Sequence, residues 1–331
     1  MIKFSIIVPV FNRPDEVHAL LQSMTEQTDN DFEVLIVEDG SSIPSDSVCA
    51  NYRDKLDIKY FYKENSGPGQ SRNYGCKQAT GNYFIFVDSD CILPPRYVET
   101  VKKELINNPV DAFGGPDQAH PDFTRLQKAI NYSMTSFFTT GGIRGKSEKL
   151  DRFYPRSFNM GLSDTVFRTI DGFSNMRFGE DIDMSIRMLK HGFHTKLFKD
   201  AFVYHRRRAT LKQFFKQVFN SGIARINLYK KHPDTLKPVH WLPAVFILGM
   251  IALILLSMIV SPYFLLLIML HSLLLWVDSA VRNRNMGVGF LSVITSYIQL
   301  SGYGSGFLIA VWKRIILKKE AYAAFHRTFY Q

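Results

Sequence analysis

Cysteine is scarce in this chain. Its three residues (Cys49, Cys76, Cys91) show no C-x-x-C pair and no Cys/His spacing of the zinc type. A disulfide-stapled secreted domain and a zinc module are therefore excluded, and the sparse, odd set fits a reducing compartment. Neither a P-loop nor a G-x-G-x-x-G fingerprint is present, which argues against a P-loop nucleotidase and against an NAD enzyme. The opening MIKFSIIVPVFNRP lacks the form of a signal peptide. Its apolar core is about seven residues long, and Asn12-Arg13-Pro14 stand where a small-residue cleavage site would be, so it reads as a first strand. There is no internal repeat and no low-complexity tract. Long apolar runs are missing until about residue 240, and that unevenness points to a soluble part followed by a membrane part.

Charge is divided the same way. Residues 1–120 carry 11 Lys/Arg against 18 Asp/Glu, a net of −7, and residues 121–331 carry 29 against 12, a net of +17. A basic segment can serve nucleic acid, anionic lipid or a phosphorylated substrate. The neighbouring apolar runs favour the membrane, and no nucleic-acid partner is expected. The stretch from Lys196 to Lys237, with 11 basic residues and 2 acids, suits anionic lipid heads or an acceptor's pyrophosphate, and Arg206-Arg207-Arg208 belong to it.

The first 110 residues alternate short β-branched runs with helical periodicity. Strands are expected at Phe4–Val10, Phe32–Val37, Ile58–Tyr62 and Tyr83–Val87. Helices are expected at Pro14–Glu26, Ser45–Lys55, Gly69–Ala79 and Pro95–Asn107. This pattern predicts an α/β fold with a mostly parallel sheet covered by helices on both faces, and ligands beyond the carboxyl ends of its strands. Farther on, RSFNMGLSDTVF predicts a strand and a helix capped by Ser163 or Asp164, and FGEDIDMSIRMLKHGF an amphipathic helix ended by Gly192. KLFKDAFVYHRRR predicts two short strands, and Leu211–Lys231 a basic helix. Three apolar segments follow, at about 241–261, 262–281 and 288–312, the last interrupted by Ser, Thr, Gln and Gly. Basic residues flank all three, which favours a hairpin of the first two with the third interfacial or re-entrant, over three full crossings.

Polar clusters fall at strand ends. In FVDSDC, Asp88 and Asp90 stand on alternate positions after a strand and can aim at one point, where a divalent cation removes their repulsion. Acidic doublets are also common in loops. In VEDGSS, Asp39 can accept from a nucleobase or ribose, or simply make an Asx turn with Gly40. In NSGPGQSRNYG, glycines allow close backbone approach, a helix start offers free N–H groups, and Arg72 lies one turn in, within reach of phosphate. Glu180 and Asp181 open a helix, where the macrodipole favours carboxylates. Asp183 reads as capping, whereas Asp181 also reads as a general base.

Taken together, FSIIVPVFNRP, VLIVEDGSS, NSGPGQSRNYG, YFIFVDSDC, FNMGLSD and FGEDIDMSIRMLKHGF resemble the family 2 glycosyltransferases of the GT-A fold, over about residues 3–230. The membrane tail resembles the anchored members that build bacterial surface polysaccharides. The resemblance implies inverting transfer from a nucleotide-diphospho-sugar, UDP placed ahead of GDP and dTDP, in a metal-dependent (Mn2+ or Mg2+) reaction. Pro9 and Asn12 then lie at the donor's edge, with Asp39, Arg72, Asp88 and Ser89 also on the donor. Asp88 and Asp90 hold the metal, with His205 as a further ligand. Asp181 is the catalytic base, with Glu180 beside it. Residues 1–235 form the catalytic domain and 236–331 the membrane region, in a multi-pass protein of the inner (cytoplasmic) membrane with its catalytic domain cytoplasmic. The Q-x-x-R-W of processive members is absent: Gln213 is followed by Phe-Phe-Lys-Gln and Gln217 by Val-Phe-Asn-Ser. A single-sugar transfer to a lipid-linked or saccharide acceptor is therefore expected. The alternatives are a polyprenyl-phosphate sugar synthase and an inactive nucleotide-sugar-binding membrane scaffold.

Overall fold

A computed structural model describes residues 2–118, 120, 122–140, 153–206 and 210–325. Arg207 and Arg208 of the expected basic run lie outside the described residues. By contacts the chain divides into two compact units, one of residues 1–120 and 150–206, the other of residues 121–149 and 207–331.

The first unit contains β1 (Phe4–Val10), α1 (Pro14–Thr25), β2 (Phe32–Asp39), α2 (Asp46–Ala50), β3 (Asp57–Lys63), α3 (Pro68–Gln78), β4 (Tyr83–Val87), β5 (Cys91–Ile92), α4 (Tyr97–Asn107), β6 (Ala112–Gly114) and β7 (Asp117–Gln118). The chain leaves for the second unit through α5 (Arg125–Thr135) and α6 (Phe137–Thr140). It returns as β8 (Asn159–Ser163), α7 (Asp164–Thr169), α8 (Glu180–Lys190), β9 (Thr195–Leu197) and β10 (Val203–His205). The main sheet runs β3-β2-β1-β4-β8-β6-β9, and a small sheet runs β5-β10-β7. β3, β2, β1 and β4 are parallel, whereas β8 is antiparallel to both β4 and β6. The expectation of a mostly parallel sheet with helices on both faces holds.

The near-continuous apolar runs follow from burial on both faces. Along β1, Phe4, Ile6, Val8 and Val10 enter one core with Val17, Leu20 and Leu21 of α1. Ile7 points the other way and packs with Leu35, Phe84, Phe86 and Met184. α2 is shorter than the predicted Ser45–Lys55, since the chain passes into turns after Ala50.

The second unit is helical: α5 and α6, then α9 (Leu211–Lys231), α10 (Leu242–Ile259), α11 (Leu265–Asn283) and α12 (Met286–Ala310). Among the described residues, two stretches are long and apolar enough to cross a membrane, Pro238–Ile259 and Phe264–Asn283. The third apolar segment forms α12, a continuous helix that buries Ser292, Thr295, Ser296, Gly302, Gly304 and Gly306 among its neighbours. Its small residues let α9 approach at backbone distance. A methyl group on Gly306 would stand 2.1 Å from the Phe219 carbonyl oxygen, and one on Gly222 would stand 2.2 Å from that of Tyr303. On Gly249 of α10 a methyl group would meet nothing within 4 Å. Gly306→Ala is therefore expected to force α9 and α12 apart and cost about 1–3 kcal/mol. Gly249→Ala is expected to leave stability unchanged or raise it by up to about 1 kcal/mol. Melting temperatures of both variants in detergent check this contrast.

Candidate active site

All the residues singled out for chemistry lie in the first unit, most of them at the carboxyl edge of β1, β2 and β4. Pro9 sits where β1 retains β2 as a neighbour but pairing to β4 has ended at Ile7↔Phe86, so its missing N–H costs little. Asn12 adopts φ 54°, in the left-handed region Asn tolerates, and ties this turn to the one after β2. Its Oδ1 accepts from Ile43 N–H at 2.9 Å and from Ser42 Oγ at 3.1 Å. Asp39 is buried, and its carboxylate accepts from Lys63 Nζ and from the N–H groups of Ser66 and Gly67, each at 2.8 Å. It thereby organises the loop that leads into α3.

Arg72, one turn into α3, is 2% exposed. Its guanidinium donates to Asp88 Oδ1 at 2.6 Å and to Glu180 Oε1 at 3.2 Å, and stands over the Phe173 ring at 5.4 Å. Ser89 is buried between the two aspartates in sequence. Asp90 Oδ1 lies 3.0 Å from His205 Nε2, and its Oδ2 is 3.8 Å from Arg13 Nη1. The pairing of β10 on β5 sets His205 opposite Cys91 and so beside Asp90, and Phe158 stacks on the imidazole at 5.1 Å. The ligating atoms of Asp90, Cys91 and His205 all lie within 4.8 Å of one another. Asp88 keeps a third of its side chain exposed. A carboxylate, an imidazole and a thiol at this separation could hold a divalent cation, and Asp88 is not one of the three. The Cys91 thiol is the soft member of the group, and burial, with Asp90 close by, pushes it well above the ordinary thiol range.

Gly179, at φ 82°, turns the chain into α8, so Glu180 and Asp181 stand at its first turn. The two carboxylates differ in character. Burial and the adjacent Asp181 charge raise Glu180 from 4.5 to about 7, against the pull of Arg72. Burial acts on Asp181 in the same sense but is outweighed by Arg156, whose Nε donates to Asp181 Oδ2 at 2.6 Å, and the group is lowered. Asp181 Oδ1 accepts from the Ile182 N–H at 2.8 Å. Asp183 accepts from Arg187 Nε at 2.9 Å, one turn along the helix. Sequence reasoning assigned no role to Arg13, Lys63, Cys91 or Arg156. No local signal marks Arg156: it comes to this edge because the first residue of β8 pairs with Val87, next to Asp88, which only the fold shows.

The family model of glycosyl transferase family 2 matches residues 5–173, just over half of the 331 residues. An uncharacterised glycosyltransferase of Rickettsia conorii is 38% identical over 106 residues, 32% of this chain and 18% of that protein. Poly(ribitol-phosphate) beta-N-acetylglucosaminyltransferase TarS of Staphylococcus aureus is 35% identical over 136 residues, 40% of this chain and 22% of that protein. The chain thus matches less than a quarter of the length of either relative. Among solved structures, the mannosyltransferase PcManGT of Pyrobaculum calidifontis, in complex with GDP-Man and Mn2+, is similar in fold. The TM-score is 0.64 at 17% identity, over 90% of this chain and 87% of that one.

The raised Glu180 has a consequence for stability. Because its folded value of about 7 exceeds its ordinary 4.5, ionisation favours the unfolded chain. Its contribution is fully present below about 4.5, declines as pH rises to about 7, and is flat above that. Glu180→Gln removes this decline. The melting temperature of the variant minus that of wild type should therefore climb between pH 4.5 and 7 and then level off.

Proposed function

The chain belongs to glycosyl transferase family 2, and on that premise we propose that it moves one sugar, with inversion, from a nucleotide-diphospho-sugar to an acceptor hydroxyl. The observation that carries this reading is the convergence of five acids, Asp39, Asp88, Asp90, Glu180 and Asp181, on the edge where ligands of such sheets sit, each in contact with a cation or imidazole. In this reading Pro9, Asn12 and the loop organised by Asp39 form the donor's nucleoside side. Arg72 fixes Asp88 toward the diphosphate, with Ser89 beside it. Asp88, Asp90 and His205 would hold Mg2+ or Mn2+, which when bound offsets the charge growing on the leaving diphosphate. As the acceptor oxygen bonds to the anomeric carbon, Asp181 takes its proton and the sugar–diphosphate bond breaks toward the diphosphate. Glu180 stays beside the base and on Arg72.

The structural neighbour binds GDP-Man with Mn2+, which supports a nucleotide-diphospho-sugar donor without choosing the base or the sugar. Two helices apolar enough to span a bilayer support a membrane-associated enzyme and hence a lipid-linked acceptor, in surface-polysaccharide or glycolipid synthesis. Residues 1–235 as catalytic domain, 236–331 as membrane region, and a cytoplasmic-membrane hairpin with the catalytic side cytoplasmic complete the proposal; the orientation rests on the basic flanks. The absence of Q-x-x-R-W supports a single addition. The pairing of Asp181 with Arg156 gives weight to a second reading, a polyprenyl-phosphate sugar synthase, whose phosphate nucleophile needs no base.

The test is a panel of UDP-, GDP- and dTDP-sugars with Mn2+ or Mg2+, offered to the full chain in detergent beside Asp90→Ala and Asp181→Asn. One donor is expected to turn over slowly and only with metal, falling about 100-fold or more in both variants. Transfer to an added polyprenyl phosphate that survives in Asp181→Asn selects the synthase reading. Failure of every nucleotide sugar to bind removes the donor assignment.

A further inference from the structure

Arg156 sits on a loop fastened at two points. Thr195 Oγ1 donates to the Phe153 carbonyl at 2.6 Å, and Ser185 Oγ, fully buried on α8, donates to the Pro155 carbonyl at 2.7 Å. The next residue is therefore held beside the first turn of α8, and its Nε meets Asp181 Oδ2 at 2.6 Å. With Oδ1 bonded to the Ile182 N–H, both oxygens of the proposed base are engaged by the chain itself. The two partners are unequally covered: the Asp181 side chain is 10% exposed and that of Arg156 is 38% exposed. The guanidinium is thus the more solvent-exposed member of the pair. Its Nη groups make no hydrogen bond among the described residues and can donate to an oxygen of an incoming molecule.

A carboxylate paired with a guanidinium at this distance resists protonation, because a neutral acid leaves the cation without its complement. The other charges near Asp181 do not cancel this: Glu180 adjoins it and Asp117 lies near Arg156, but Arg72 also acts on it, and the net effect on Asp181 is downward. A single attacking water has its oxygen committed to the anomeric carbon and holds no second accepting oxygen in place for the guanidinium. An acceptor carrying several hydroxyls or an oxyanion does.

We infer that Arg156 is a specificity-determining residue that directs the donor sugar to the acceptor and away from water, by holding Asp181 in an ion pair that a bound acceptor can open and a lone water cannot. The inference rests on the proposed transfer reaction with Asp181 as base. In the unwanted reaction, a water oxygen bonds to the anomeric carbon and that carbon's bond to the diphosphate oxygen breaks, its electron pair going to the diphosphate. The water proton passes to Asp181 and then to solvent. The products are free sugar, nucleoside diphosphate and a proton.

The test uses the full chain in detergent with Mn2+, the same nucleotide-sugar panel and no acceptor, measuring donor binding and release of nucleoside diphosphate against pH. Arg156→Gln is expected to hydrolyse the bound donor about threefold to tenfold faster than wild type, with the limb of the pH profile that reports the base moved about one unit to higher pH. Arg156→Lys, which keeps the charge without the fork, should fall between the two. The rise should vanish in Arg156→Gln combined with Asp181→Asn. Hydrolysis in Arg156→Gln no faster than in wild type, with donor binding intact, overturns the inference and leaves the proposed function standing. If Arg156→Gln melts early, Arg156→Lys decides, and a rate at or below wild type overturns it. Failure of the wild-type chain to bind any donor takes down the proposed function, and this inference with it.

Discussion

Arg72 is buried, and its guanidinium joins two carboxylates that are far apart in the chain, Asp88 at the end of β4 and Glu180 at the start of α8. In a poorly solvated site those acids, with Asp181 next to Glu180, repel strongly, and an unpaired buried charge is among the costliest defects a fold can carry. The guanidinium therefore does more than neutralise. It fixes the entry of α8 against α3, and Asn73 on the next position holds the Phe173 backbone from both sides, donating to its carbonyl at 2.7 Å and accepting from its N–H at 2.8 Å. Remove Arg72 and the position of the proposed base loses its main reference to the position of the proposed metal ligands.

The same rule is repeated around the edge. Asp39 has Lys63, Asp181 has Arg156 and Asp90 has His205, each partner arriving from a different element. Glu180 and Asp181 are both deeply buried at the same helix end; burial wins at Glu180, which meets Arg72 at 3.2 Å and shares it with Asp88, and loses at Asp181, which Arg156 meets at 2.6 Å. Two adjacent acids thus acquire opposite proton affinities through their surroundings.

Much of this was legible in the sequence because a parallel sheet buried on both faces writes itself as continuous apolar runs, as in Phe4–Val10 and Tyr83–Val87, whose bounds are those seen in the fold. Acids directly after such runs marked the site, and Asn12, Asp39, Arg72, Asp88 and Asp90 do lie at or near that edge. What could not be read was sheet direction. Only because β8 runs against β4 does the loop before a strand, and with it Arg156, come to an edge otherwise built from residues that follow strands. Cys91 was legible as a residue but not as a neighbour of His205, which needs the pairing of β5 with β10. The helix α5 starts at a reciprocal Thr124–Gln127 cap, yet nothing local tells which distant helices it joins.

That last helix has a history as well as a place. Thr295 of α12 donates to the Ala129 carbonyl 166 residues earlier, and Tyr132 donates to Asp278 across 146 residues. A ribosome adding about 5–20 residues per second makes α5 roughly ten to thirty seconds before the α12 segment it rests on. For about the first half of that interval its apolar stripe, Ile130 and Met134, lacks every distant partner; Phe214 and Val218 of α9 then follow, and Ile298 of α12 comes last. The nascent chain must carry an unsatisfied amphipathic segment in its middle while the strands on either side of it are still pairing. Such a segment is a natural target for chaperones and for the membrane surface until α9 and α12 have followed it.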